Sequence, residues 1–377
     1  RPQIRLENSG RLYTAHRRIS NSHLYWLANN SDSVRNFSAW LRDGDGVAEI
    51  WNCETGERTP VASVKENGYN KVMLTLQPYE GYWLVFDPEG SNIGQPVQND
   101  FSSKEITLDD KWVISYPGRD TIYKATAKSL TLADSGLSED LMQSSYNDSK
   151  WEYSSFIAEQ NRKDENKKDE AKENDAAGYR YWRVNIPIGS KSVLFPENMI
   201  GTALWIDGVK TNVAAASIDL PDHTRLLSFA RLAKSELVPT GPLKFVVGKK
   251  ENCTLQSWYT YGLQQYSGYV DYEIPVVMND VSAKTAIDLG SVKYMAEVFV
   301  NNKSIGDRLW PPFVFDISKY LQKGENIIRV RVGNLMVNEM WLKSDMGKLR
   351  TWGWVGAPDF DKYDAGLFGP VKLIQSK

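Results

Sequence analysis

Cysteine, histidine and long apolar runs are all scarce in this sequence, and each scarcity removes a class of function. Cys53 and Cys253 are the only cysteines, too few for a disulfide framework or a cysteine-based zinc site. The three histidines, His16, His23 and His223, exclude a His-rich metal site and leave a Ser-His-Asp triad just three candidate bases. His16 and His23 read as hydrogen-bonding residues near a domain contact, because no GxSxG nucleophile context accompanies them. No phosphate-binding loop, dinucleotide fingerprint or metalloprotease helix motif occurs. No stretch approaches the roughly 18 consecutive apolar residues of a membrane span. Arg1-Pro2-Gln3 is no signal peptide, so the sequence reads as cytosolic or as lying downstream of an export signal.

A dominant charge is missing too. Lys and Arg total 45 against 47 Asp and Glu, a formal charge of −2, so no field gathers phosphate backbones or anionic lipid. No nucleic-acid partner is expected.

What the sequence has is aromatic side chains, 13 Trp and 19 Tyr among 377 residues. They favour strands, pack sheet-on-sheet cores and stack on the apolar faces of sugars. Most apolar runs are short, β-branched or aromatic, and bounded by Gly, Asn, Asp or Pro, which predicts an all-β chain. Five strands are predicted early, at Leu24–Ala28, Asn36–Leu41, Val47–Trp51, Lys71–Leu76 and Tyr82–Phe86. They suit a small antiparallel β-sandwich over 1–98, and Asp43-Gly44-Asp45-Gly46 reads as a hairpin turn. The turn-rich stretch Asp87 to Pro96 marks a linker.

Beyond it the chain repeats itself. Tyr181–Pro187 resembles Tyr269–Pro275, and Trp205-Ile206-Asp207-Gly208 resembles Phe299-Val300-Asn301-Asn302. Ser217–Leu220 then matches Phe315–Ser318, and Gly241–Val247 matches Gly324–Val330. Two tandem sandwiches, over 99–250 and 251–377, are expected. The charged run 159–175 has no large apolar residue to bury and reads as a solvated insertion.

The later blocks resemble the galactose-binding-like jelly roll of the sugar-binding domain in glycoside hydrolase family 2. The resemblance rests on Ile274-Pro275, Phe299–Asn302, Phe315–Ser318, Gly324–Val330 and Gly366-Leu367-Phe368-Gly369-Pro370-Val371. The earlier jelly roll departs from it, with an Asp207-Gly208 turn and no aromatic in its Ser217–Leu220 block. As a whole the chain resembles the C-terminal portion of glycoside hydrolase family 106, the α-L-rhamnosidase-type enzymes. That likeness lies in Ala15-His16-Arg17-Arg18, Leu24–Asn29, Trp51-Asn52-Cys53-Glu54-Thr55-Gly56, Ile287-Asp288-Leu289-Gly290 and Leu309-Trp310-Pro311-Pro312-Phe313.

The resemblance implies a region that follows a catalytic barrel in the same polypeptide. That barrel would carry the catalytic carboxylates and calcium ligands of such an enzyme, so no catalytic residue and no cofactor is assigned here. It also implies a periplasmic or extracellular location and a plant-type polysaccharide as the material acted upon. The rivals are a free-standing carbohydrate-binding protein and an independent glycosidase or amidase built on paired jelly rolls.

Candidate carbohydrate-binding residues are the loop aromatics Trp258, Tyr259, Tyr261, Trp341, Trp352 and Trp354, which offer apolar platforms. Asp359, Asp361 and Asp364 could hold a structural calcium ion through hard oxygen ligands, or could shape turns beside Gly, Pro and Ala. Asn301, Asp219 and Asp316 are expected to serve turns through their own side chains.

Overall fold

The computed structural model describes residues 2–8, 10–31, 33–53, 56–88, 103–108, 111–133, 135–156, 178–233, 239–340 and 364–376. The charged run 159–175 and most of the predicted linker lie outside the described residues. The chain is all-β, as predicted: the one α-helix among the described residues is a single turn, Val337–Met340, and the named strands pair antiparallel.

The first sandwich sets a four-stranded sheet (Ile4–Glu7, Arg35–Leu41, Tyr69–Leu76, Ser63–Glu66) against a five-stranded one (Leu12–Ile19, Ser22–Asn29, Gly81–Asp87, Val47–Asn52, Arg58–Val61). Alternation directs every second side chain inward, so Val72, Leu74 and Leu76 meet Tyr25, Leu27 and Leu84 in one core. Asn67-Gly68, both at positive φ, turn the Ser63–Glu66 strand back along Tyr69–Leu76, as a two-residue hairpin requires. Asp43 to Gly46 is not a hairpin. It carries the chain from one sheet to the other, since Arg35–Leu41 and Val47–Asn52 belong to opposite layers. Gly44 sits so close to Phe86 that an added Cβ would lie 2.5 Å from its ring.

The next two sandwiches share one plan. One has a six-stranded sheet in the order Glu152–Ser155, Thr126–Ala133, Gly178–Asn185, Leu226–Leu232, Ala203–Ile206, Val209–Asn212, over a four-stranded sheet of Thr121–Lys124, Leu243–Val247, Ser190–Leu194 and Ser217–Asp219. The other has Glu251–Cys253, Trp112–Ser115, Tyr269–Met278, Gly324–Gly333, Met295–Val300, Lys303–Arg308, over Ser103–Thr107, Lys372–Ser376, Thr285–Asp288 and Val314–Asp316. Read position by position, the two strand orders run through the chain in the same sequence, which is the signature of a duplicated fold.

The two copies are nested in the sequence. Ser103–Thr107 pairs with the last strand, Lys372–Ser376, and Trp112–Ser115 lies between Glu251–Cys253 and Tyr269–Met278. The segment 121–247 is thus inserted between two neighbouring strands of its host. One repeat match is also corrected. The equivalent of Gly324–Gly333 is Leu226–Leu232, and Leu243–Val247 corresponds to Lys372–Ser376. Both are short β-branched runs, and an apolar pattern does not say which sheet such a run joins.

The host core takes Trp112, Tyr272, Val298 and Val330 from its larger sheet and Ile287, Phe315 and Leu373 from the smaller, and it continues onto Ile122, Ile188 and Val247 of the inserted copy. The inserted copy keeps a core of its own around Trp182, Leu204, Phe229 and Phe245.

Candidate functional site

The polar side chains of interest gather where the inserted copy meets its host. Glu251 opens the strand by which the chain returns to the host sheet, and its carboxylate is the node of the junction. Gly189 donates its backbone N–H to Oε2 at 2.8 Å, His223 Nδ1 lies 2.8 Å from Oε1, and Arg225 donates Nη2 to the same oxygen. Three groups of the inserted copy therefore converge on one host carboxylate. Burial pushes the Glu251 carboxyl up, but Arg225, the Gly189 N–H and His223 together outweigh it and hold it below the usual carboxylate range. Gly189 has φ +74°, and a Cβ there would lie 2.6 Å from the Lys249 carbonyl oxygen, so only glycine brings its N–H to Glu251.

Around this node lies an open cleft of about 470 Å³, lined by Asp222, His223, Lys249, Lys250, Glu251 and Asn252. Each cation on its floor is engaged: Lys249 with Asp222 at 2.7 Å and Lys250 with Glu273 at 3.1 Å. Lys249 holds the exposed Asp222 carboxyl down as well.

A second polar set is sealed deeper in the junction. Lys124, 3% exposed, donates Nζ to Gln264 Oε1 at 3.3 Å, and the Gln264 amide donates to the Tyr259 carbonyl at 2.9 Å. Gln265 donates Nε2 to the Thr126 carbonyl at 3.0 Å. Burial lowers the Lys124 ammonium to about 7. Apart from Tyr259, none of these residues stood out in the sequence. The one signal was alternation in Thr121-Ile122-Tyr123-Lys124, which places Lys124 on the inward side with Ile122.

The aromatics expected to meet sugar are placed differently from one another. Trp258 is 0% exposed, with Nε1 donating to Tyr272 Oη at 2.7 Å, and Tyr261 is 5% exposed with its hydroxyl on the Thr254 carbonyl at 2.7 Å. Both belong to the host core and present no ring face to a ligand. Tyr259 is half-buried at the junction. Trp341, Trp352, Trp354, Asp359 and Asp361 lie outside the described residues. Asp364 accepts from Ser257 Oγ at 2.5 Å and from the Ala365 N–H at 2.8 Å, the contacts of a turn-shaping carboxylate. No group of three or more metal-ligating residues occurs among the described residues, and none of the described helices is long and apolar enough to cross a membrane.

No family model matches the chain. A curated protein of Formosa agariphila named "Putative beta-glucuronidase" is 32% identical over 93 residues, 23% of this chain and 8% of that protein. Among solved structures, a rhamnosidase from Novosphingobium aligns over 100% of this chain and 25% of its own, at 17% identity and a TM-score of 0.44. A beta-glucuronidase from an uncultured Clostridium aligns over 30% of this chain and 20% of its own, at 23% identity and a TM-score of 0.23. The chain thus resembles glycoside hydrolases and spans a quarter or less of the length of these relatives.

Proposed function

We propose that this chain is the non-catalytic β-sandwich region of a carbohydrate-degrading enzyme of the α-L-rhamnosidase type, supporting a catalytic barrel elsewhere in the same polypeptide. The observation that carries this reading is where the polar motif residues spend their hydrogen bonds. Asn301 and Asp207 accept from backbone N–H groups of a neighbouring strand, Asn326 donates to a carbonyl of its own strand, and Asp316 accepts from the Ser318 N–H of the turn that follows it, so these four side chains are spent on the fold. The short match to the Formosa protein agrees with this direction.

The cleft chemistry supports the same reading. Hydrolysis by two carboxylates needs one of them protonated at working pH, with a raised pKa. Glu251 and Asp222 are both held ionised by cations, so this pair is built for cohesion and not for proton donation.

In this proposal the organisation is a first sandwich over 1–98 followed by two galactose-binding-like jelly rolls, and the polysaccharide is of plant type, met outside the cytoplasm. Sugar contact falls to the half-buried Tyr259, together with Trp341, Trp352 and Trp354. The experiment is turnover of aryl-glycosides by the chain alone and by the chain joined to the barrel of its parent gene. No turnover alone and turnover on rejoining is expected. Hydrolysis by the chain alone would refute the supporting role and favour an enzyme built on the paired jelly rolls.

A further inference from the structure

Two of the three histidines meet on the first sandwich. His16 and His23 stand on neighbouring antiparallel strands, in register opposite Tyr25 and Arg18, so they are diagonal neighbours on the face that carries Tyr25 into the core. His16 Nε2 lies 3.1 Å from His23 Nδ1, and the rings are nearly parallel, 6° apart. The stack continues onto Tyr25, whose ring centroid is 4.4 Å from that of His16. Tyr25 is fully buried, and its hydroxyl donates to the Asp43 carbonyl at 2.6 Å and accepts from the Asp43 N–H at 3.2 Å. One face of the pair is therefore fixed by a tyrosine that is itself held at both ends, while both imidazoles remain part-exposed at the rim.

We infer that His16 and His23 form a two-imidazole site for a borderline divalent transition-metal ion, with water completing the coordination. Imidazole nitrogen suits Zn²⁺, Ni²⁺ and Cu²⁺. With metal–nitrogen bonds of about 2.0–2.1 Å, donors at the observed separation subtend roughly 95–100° at the ion, between the cis angle of tetragonal geometry and the tetrahedral one. The ion replaces the hydrogen now shared by the two nitrogens. That hydrogen passes to the far nitrogen of its own ring, and both imidazoles turn out of their present nearly parallel arrangement so that their in-plane lone pairs meet the ion and both bind as neutral ligands. Asp43 and Arg42, one of each sign, act on His16, and Arg18 stands opposite His23 on the same face.

The test is calorimetric titration of the full chain with NiCl₂ and with ZnCl₂, in a Cys53→Ser background that removes the exposed thiol. One ion per chain is expected, weakened at least about tenfold by His16→Ala and equally by His23→Ala, and unchanged by His223→Ala. Equal binding by the wild type and the double variant, or no binding by either, overturns the inference. On the unsubstituted fold, ¹⁵N resonances report the donors directly. Zn²⁺ should move His16 Nε2 and His23 Nδ1 together, and shifts confined to other nitrogens overturn the site whatever the variants do.

Discussion

Asn301 and Ile327 exchange two hydrogen bonds: the Asn301 N–H donates to the Ile327 carbonyl at 2.9 Å, and the Ile327 N–H donates to the Asn301 side-chain oxygen at 3.0 Å. The inserted copy repeats this with Asp207 and Leu226, at 2.9 and 2.8 Å. Both turn residues sit at positive φ, 50° and 46°, where Asn and Asp are tolerated. The duplication therefore preserves a device as well as a topology: a side-chain oxygen of the turn residue that satisfies an N–H of a central strand, Leu226 in one copy and Ile327 in the other. Asn301→Ala should cost about 0.5–1.5 kcal/mol by withdrawing that acceptor, whereas Asp207→Asn should change stability by less than the Asn301 variant does. Urea unfolding of both variants checks this, and equal losses would mean that charge, not the acceptor, matters at Asp207.

Glu251 makes the grip of the host on its insert pH-dependent. Its folded pKa lies below the ordinary 4.5, so the stabilisation is fully present above about that pH and is lost as pH falls through the lower folded value. Glu251→Gln should cost about 1.5–3 kcal/mol at neutral pH, the range for hydrogen bonds to a charged group, and should flatten the acid limb of the stability curve. Melting temperatures of both proteins between pH 3 and 7 decide it. Parallel curves would mean that Glu251 contributes no ionic hold.

Strand identity was legible wherever side chains alternate. All five early strands lie inside observed ones, and Asn301 and Asp316 serve turns as their residue types suggest. What alternation does not encode is the partner of each strand. Trp112–Ser115 belongs to a sheet completed more than a hundred residues later, and nothing local to those four residues says so. The same blindness hid the junction, because Glu251, Arg225 and Gly189 are unremarkable apart and meet only once two sheets are folded. Trp258 shows the converse: an aromatic in a loop looks ready for a ligand until its indole N–H is found bonded to Tyr272 inside the core.

Lys124 is an internal cost. Its folded pKa of about 7 lies below the unfolded 10.5, so between those values the unfolded chain binds the extra proton and stability rises with pH. Below about 7 the penalty is complete. Lys124→Met should therefore stabilise the protein at pH 7, by on the order of 1–4 kcal/mol, less about 1 kcal/mol for the hydrogen bond withdrawn from Gln264. It should also remove the upward slope between pH 7 and 10.5. Chemical denaturation at pH 7 and pH 10 measures both effects, and a destabilised variant at pH 7 would show that the ammonium has a partner worth more than its burial.

Nesting makes a prediction about fragments that tandem domains would not. A piece covering 251–377 lacks Ser103–Thr107 and Trp112–Ser115, and so lacks the partner of its own last strand and the strand between Glu251–Cys253 and Tyr269–Met278. It also lacks the indole of Trp112, which is fully buried in the host core. Losing a buried Trp side chain alone costs about 3–5 kcal/mol, comparable to the whole stability of many domains, and the two unpaired edges invite association. The 251–377 piece should therefore be aggregated or melt without cooperativity. A piece covering 103–377 restores both strands and should melt in a sharp transition. Soluble expression and calorimetry of the two pieces separate the cases, and a cooperative transition from 251–377 alone would show that the N-terminal strands are dispensable to the host sandwich.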